Sequence, residues 1–212
     1  MNKSQMSLDP LAGESCQSIS VMLITDIFGV GEATEQLTAT MGSQATVHII
    51  DPYSGVRNHF ASEQIAYSEF IERCGHEDYY VLAKAAFEQL EPDVVIGFSA
   101  GGNACWRLAS DPKAQGKVFC CFYPTRIHQY LTVEPVAKTQ VVFPEYEPGF
   151  DVTEVSDIIS QLHCVEQLHM PYKHGFMNQA SSAYDETGLQ LGMGTILHIM
   201  DLSVFKVSFQ ND

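Results

Sequence analysis

The chain has 212 residues, 45% of them hydrophobic and only 17% charged. An average soluble protein is about 25% charged, so this composition excludes a disordered chain or a coiled coil and suits one domain with a sizeable core. Lys and Arg number 11 against 26 Asp and Glu, a formal charge of -15; such a field repels phosphate backbones and argues against nucleic-acid partners.

Residues 1–18 are polar and lack the apolar stretch of a secretory signal, while 19–212 read as a single domain. No apolar run approaches the length of a membrane span. The six cysteines lie scattered through apolar segments without a CxxC pair, which suits reduced, mostly buried thiols. From these features a cytoplasmic location, away from membranes, is expected.

In chain order, strand-sized apolar runs alternate with helix-compatible stretches, the pattern of an α/β sheet. The strands expected are Ile19–Thr25, Thr46–Ile50, Val94–Phe98, Lys117–Tyr123, Gln140–Phe143 and Cys164–His169. Several are apolar on both faces, as in a parallel sheet covered by helices on both sides. Helices are expected at Glu32–Met41, which stops before Gly42, and at Asp78–Leu90, with Tyr80, Ala83, Phe87 and Leu90 at helical spacing. Further helices are expected at Ala100–Ser110, Val152–Leu162 and about Ala183–Val207, the last interrupted in pattern by Gly188, Gly192 and Gly194. Between them, Ser54–His76 reads as a loop and a short helix over the carboxyl edge of the sheet, where open α/β sheets bind ligands.

The strongest chemical signal is Gly97-Phe98-Ser99-Ala100-Gly101, a G-x-S-x-G pattern between an apolar β-branched run and a helix-compatible one. A strand-turn-helix of this kind is a nucleophile elbow, in which the serine hydroxyl stands clear of the sheet beside a helix amino end. There the Ala100 N–H can bind an oxyanion. A serine needs a base to take its proton, and in this fold class the order is serine, acid, histidine. His174 follows the last strand and precedes the last helix, where the base belongs; His169, at the end of that strand, is its rival, and His198 falls within the final helix. Three carboxylates follow the fifth strand. Glu147 sits at the turn just beyond it and is the favoured acid. Asp151 has the position of a helix N-cap with Glu154 three residues on, and Glu145 belongs nearer the strand end. His163 and His169 flank Cys164 without a zinc spacing, so neither a metal nor another cofactor is expected.

These pieces together resemble the dienelactone hydrolase family. Asp26-Ile27-Phe28-Gly29 is similar to its E-I-F-G oxyanion loop, and Asp51-Pro52-Tyr53-Ser54-Gly55 to its P-D-L-Y-G segment. The elbow at Gly97–Gly102 resembles its G-[YF]-[CS]-x-G-G, and Phe122-Tyr123-Pro124 its aromatic strand end. Phe143 to Glu147 stands where the family has F-G-x-x-D, and His174-Gly175-Phe176 resembles its H-[AG]-F. The resemblance implies an α/β-hydrolase fold: a mainly parallel sheet of about six strands with helices on both faces, here lacking the usual antiparallel strands at the amino end. It implies the Ile27 N–H as second oxyanion donor. Ser99 replaces the family cysteine, Glu147 its aspartate and Asp26 its glutamate.

The expected activity is therefore cleavage of a small carboxylic ester or lactone through an acyl-serine, without cofactor. Asp26, Phe28, Arg57, Tyr123, Arg126 and Phe176 are the substrate-binding candidates; His59 and Phe150 also fall near the same edge. Family members that bind a carboxylate-bearing lactone hold the carboxylate with arginines, which implies that role for Arg57 and Arg126. The alternatives are a catalytically silent binding protein of the same fold, or a thioesterase or peptidase with the same triad. A sheet edge left open would favour a homodimer.

Overall fold

The computed structural model describes residues 18–209, with side chains through residue 201. Six strands, β1 (Ile19–Ile24), β2 (Ala45–Ile50), β3 (Val94–Phe98), β4 (Val118–Phe122), β5 (Lys138–Phe143) and β6 (Val165–His169), form one sheet in the order β2-β1-β3-β4-β5-β6. Every described pair is parallel. Of the polar segment 1–18 expected to precede the sheet, residues 1–17 lie outside the described residues.

Successive side chains of a strand face opposite sides of the sheet, and two apolar layers result. Met22, Ile24, Val95, Phe119, Cys121, Val141 and Phe143 pack with α3 (Gly75–Leu90), α4 (Ala100–Leu108) and α5 (Val152–Ile159). Val21, Leu23, Ile96, Phe98, Cys120 and Val142 pack with α1 (Glu32–Met41) and α6 (Glu186–Phe209). β3 and β4 are buried along their whole length, which is why their sequences are unbroken apolar runs. The described cysteines, Cys74, Cys105, Cys120, Cys121 and Cys164, are free thiols.

Two expectations change. The helix read from Asp78 begins at Gly75, and its inward stripe is Tyr79, Ala83 and Phe87, with Tyr80 only half-buried. The Tyr79 hydroxyl donates towards the carbonyls of Thr25, at 3.0 Å, and Ile50, at 2.9 Å, fixing α3 to the ends of β1 and β2. The segment Ser54–His76 contains a full helix, α2 (Glu63–Arg73), capped by Ser62, whose hydroxyl accepts from the Ile65 N–H.

The glycines of α6 do not break it. A Cβ on Gly188 would stand 2.8 Å from the Phe176 ring, and one on Gly192 would stand 2.4 Å from Met177 Sδ. These glycines let the helix pack closely on the segment that follows β6, a tertiary gain that offsets their low helix propensity.

Candidate active site

The strand order reverses between β1 and β3: the chain leaves β1 towards β2 on one side and returns to β3 on the other. A crevice opens at such a switch point, beyond the carboxyl ends of the strands. Ile24 pairs with Gly97, so the loop leaving β1 lies beside the turn leaving β3.

That turn is tight. Ser99 has φ 52° and ψ -112°, a backbone region costly for a residue with a side chain. It is held by the Ser99 N–H, donating to the Phe122 carbonyl at 3.0 Å, and by its own carbonyl, which accepts from Asn103 and Thr125. Glycines make the close approach possible. A Cβ on Gly97 would lie 2.3 Å from the Gly101 carbonyl oxygen, and one on Gly101 would lie 2.3 Å from that of Thr25.

Ser99 Oγ stands 2.8 Å from His174 Nε2, and His174 Nδ1 stands 2.6 Å from Glu147 Oε1. If Nδ1–H donates to the carboxylate, Nε2 is left as an acceptor facing the serine hydroxyl. The acid and the histidine meet because the β5–β6 pairing continues past the strands: Glu145 N–H donates to the Tyr172 carbonyl, and Tyr146 bridges Lys173. The next residue on each segment is Glu147 and His174. Glu147 is only 4% exposed.

The Asp26–Gly29 loop is fixed from several sides. Asp26 Oδ1 accepts from the Phe28 N–H at 2.9 Å and Oδ2 from Asn178 Nδ2 at 2.7 Å. Burial pushes the Asp26 carboxyl above its usual pKa, with both hydrogen bonds and His174 opposing the rise. The Tyr53 hydroxyl donates to the Ile27 carbonyl at 2.7 Å. Gly29, at φ 72°, clears the Tyr53 ring, which a Cβ would approach to 2.6 Å. Among the described residues, neither the Ile27 nor the Ala100 N–H has a protein acceptor.

No protein-family model matches the chain. It is 37% identical to the Bacillus subtilis (strain 168) protein named "Uncharacterized protein YczH" over 92 residues, which are 41% of this chain and 43% of that protein. The chain thus matches less than half the length of that relative. Among solved structures it is similar to the "Putative Dienelactone Hydrolase" of Klebsiella pneumoniae subsp. pneumoniae MGH 78578, with TM-score 0.67, 15% identity and 89% of each chain covered. It is also similar to Est1E from Butyrivibrio proteoclasticus (TM-score 0.56, 9% identity, 91% of this chain and 89% of that one). The enol-lactonase of Burkholderia xenovorans LB400 is a third (TM-score 0.56, 8% identity, 87% of this chain and 92% of that one). The chain has the α/β-hydrolase fold.

Within this α/β-hydrolase fold, a pocket of about 400 Å³ opens over Ser99 and His174. Of the substrate-binding candidates, Asp26 and Phe28 line it. Asp26 is 6% exposed with both carboxylate oxygens engaged in the loop, so its contribution is to loop shape. Tyr123 is buried beside the His174 ring, with centroids 5.1 Å apart, and Phe176 is buried against Tyr123 and Tyr172; neither lines the pocket. Arg57 lines a neighbouring cavity with His59 and is ion-paired with Glu35. Arg126 donates from Nε to Gln129 Oε1 and lies outside the pocket lining. Phe150 packs on His128.

The rivals for acid and base have other work. Asp151 accepts from the Thr153 and Glu154 N–H groups as the cap of α5, and His169 Nε2 stands 3.0 Å from Ser156 Oγ. Sequence reasoning missed Glu63, Gln64 and Tyr67, which α2 brings to the pocket, as well as Thr125 and Ser181. It also missed Asn178, the partner of Asp26. The capped, periodic pattern of Ser62, Ala66 and Phe70 carries a helix signal; nothing local says what that helix covers. Among the described residues no cluster of His, Cys, Asp or Glu is arranged to hold a metal ion, and no helix is long and apolar enough to cross a membrane.

Proposed function

We propose that the protein is a serine hydrolase that cleaves small carboxylic esters or lactones. The observation that carries this reading is the continuous path from Ser99 Oγ through His174 to Glu147, at 2.8 and 2.6 Å. In the reaction, Ser99 Oγ bonds to the ester carbonyl carbon while its proton passes to His174 Nε2. Glu147 holds the ring in the productive tautomer and stabilises the imidazolium. The Ile27 and Ala100 N–H groups bind the tetrahedral oxyanion, each such donor being worth about 10²–10³ in rate. His174 then gives its proton to the leaving alcohol, and water activated by the same ring releases the acid and restores Ser99. The structural neighbours named as a "Putative Dienelactone Hydrolase" and an enol-lactonase are in keeping with this chemistry.

The test is hydrolysis of a short-chain p-nitrophenyl ester by the native protein and by Ser99→Ala and His174→Ala. Turnover by the native protein and background rates for both variants support the reading. An inert native protein, or a Ser99→Ala variant that keeps its rate, overturns it.

A further inference from the structure

Among the described residues, the pocket over Ser99 is lined by three carboxylates, Asp26, Glu63 and Glu147, and by no lysine or arginine. Several cations on neighbouring segments are engaged with other groups. Arg57 is paired with Glu35 and Arg126 bonds Gln129. Arg73 stacks over the Tyr53 ring, 4.8 Å from its centroid, and does not line the pocket. Lys173 precedes His174 but is exposed and does not line the pocket. His174 is the lone basic group among the lining residues, and Glu147 already faces it. Among these residues the carboxylate-bearing lactone implied by the family resemblance would find no lysine or arginine to pair with, and an exposed carboxylate, Glu63, of its own sign.

The three carboxylates are not equivalent. Asp26 is buried in its loop and Glu147 is engaged by His174. Glu63 is exposed in the first turn of α2, and its partners are all neutral: Ser181 Oγ at 2.6 Å and the Ser182 N–H at 3.2 Å on Oε1, Ser182 Oγ at 3.1 Å on Oε2. Burial alone would raise its pKa, but these hydrogen bonds, with a smaller contribution from nearby His174, outweigh burial and hold the carboxyl below its usual value, so Glu63 stays ionised. One turn along the same helix, Tyr67 also lines the pocket and remains 49% exposed. Residues four apart on a helix share a face. An ionised carboxylate beside an exposed aromatic ring is a pair suited to an ammonium group, which gains Coulomb attraction from one and the ring quadrupole of the other.

Building on the esterase reading above, we propose that the site selects esters carrying a cationic ammonium group away from the reacting carbonyl, held by Glu63 and Tyr67. The charge of -15 on the whole chain adds to this preference at the encounter stage, since a field of one sign enriches ligands of the other.

The test uses p-nitrophenyl trimethylammoniobutyrate, its uncharged tert-butyl isostere and the p-nitrophenyl half-ester of glutaric acid. A choline ester and its tert-butyl isostere place the charge on the alcohol side. Each kcat/KM is divided by the rate constant for hydroxide-catalysed hydrolysis of the same ester. The expected result is a preference of about fivefold to tenfold for the cationic ester over its isostere in at least one series, with the glutarate half-ester disfavoured by a similar factor. The preference shrinks as salt is raised. Glu63→Gln and Tyr67→Leu each bring the cationic-to-neutral ratio towards one, whereas loss of a merely structural contact lowers both rates alike. Turnover of the neutral isosteres with no cationic preference in either series, or a ratio unchanged in Glu63→Gln, overturns the inference and leaves the esterase reading standing. Absence of turnover with every ester overturns both.

Discussion

The floor of the site and its cover are built differently. The floor consists of the turns leaving β1, β3, β5 and β6, where backbone packs against backbone: the Gly97 and Gly101 positions face carbonyl oxygens with no room for a methyl group. The cover is α2, an amphipathic helix with two buried residues, Ala66 and Phe70, and with Ile65, Tyr67 and Ile71 exposed. A floor of strand ends fixes the reacting groups to a fraction of an ångström, as general acid–base and nucleophilic chemistry requires. A cover made of side chains on one helix can change its chemistry without disturbing them. Under the proposed serine-hydrolase function, this division assigns reactivity to the floor and substrate choice to the cover.

Substitutions sharpen the contrast. The largest effect is expected for Glu147→Gln, which keeps size but removes the charge that stabilises the imidazolium: kcat for a reactive ester should fall by about 10²–10⁴ with little change in thermal stability. Next comes Gly101→Ala. A methyl group 2.3 Å from the Thr25 carbonyl and 2.4 Å from that of Ile24 forces β1 and α4 apart, and a loss of at least about 3 kcal/mol is expected in denaturant unfolding. Ile71→Ala on the cover, at a 46% exposed position, should stay within about 0.5 kcal/mol. Equal losses for the two would remove the distinction.

The junction between cover and floor carries a pH signature. His76 is buried between Phe70 and Tyr67, and burial, reinforced by Arg126, lowers its pKa to about 4. An unfolded histidine titrates near 6.5, so the unfolded chain binds the extra proton first. The stability contributed by neutral His76 is therefore complete above about pH 6.5 and is lost as pH falls towards about 4, by up to roughly 3 kcal/mol. Thermal melts of His76→Leu should flatten the acid loss over this window; an unchanged pH profile would refute the assignment. A modest kinetic effect is expected for Tyr53→Phe. Losing the bond to the Ile27 carbonyl, worth about 1 kcal/mol, should lower kcat about fivefold through a less well-held oxyanion loop, with KM little changed.

Legibility in the sequence follows the same division. Strands of a doubly covered parallel sheet are short continuous apolar runs, so all six could be located from composition, with ends shifted by no more than two residues. The turns at Ser99, Glu147 and His174 follow from strand order, because every parallel strand delivers its carboxyl end to the same edge. The choice of Tyr79 over Tyr80 did not follow, since both fit helical spacing and only the carbonyls of Thr25 and Ile50 decide between them. The reach of Glu63 and Tyr67 into the pocket was hidden for a related reason: α2 touches the site through contacts far apart in sequence, such as Glu63 with Ser181. Arg57 and Arg126 show the converse, since loops at the correct edge do not determine where a long side chain finds its partner.

The central claim is that Ser99 is an activated nucleophile. The most direct test is to label the native protein and His174→Ala with a fluorophosphonate and locate the adduct by peptide mass spectrometry. The account predicts one adduct per native chain, on Ser99, and labelling slowed at least about 100-fold in His174→Ala. An unlabelled native protein, an adduct on another serine, or equal labelling of the two proteins would contradict it.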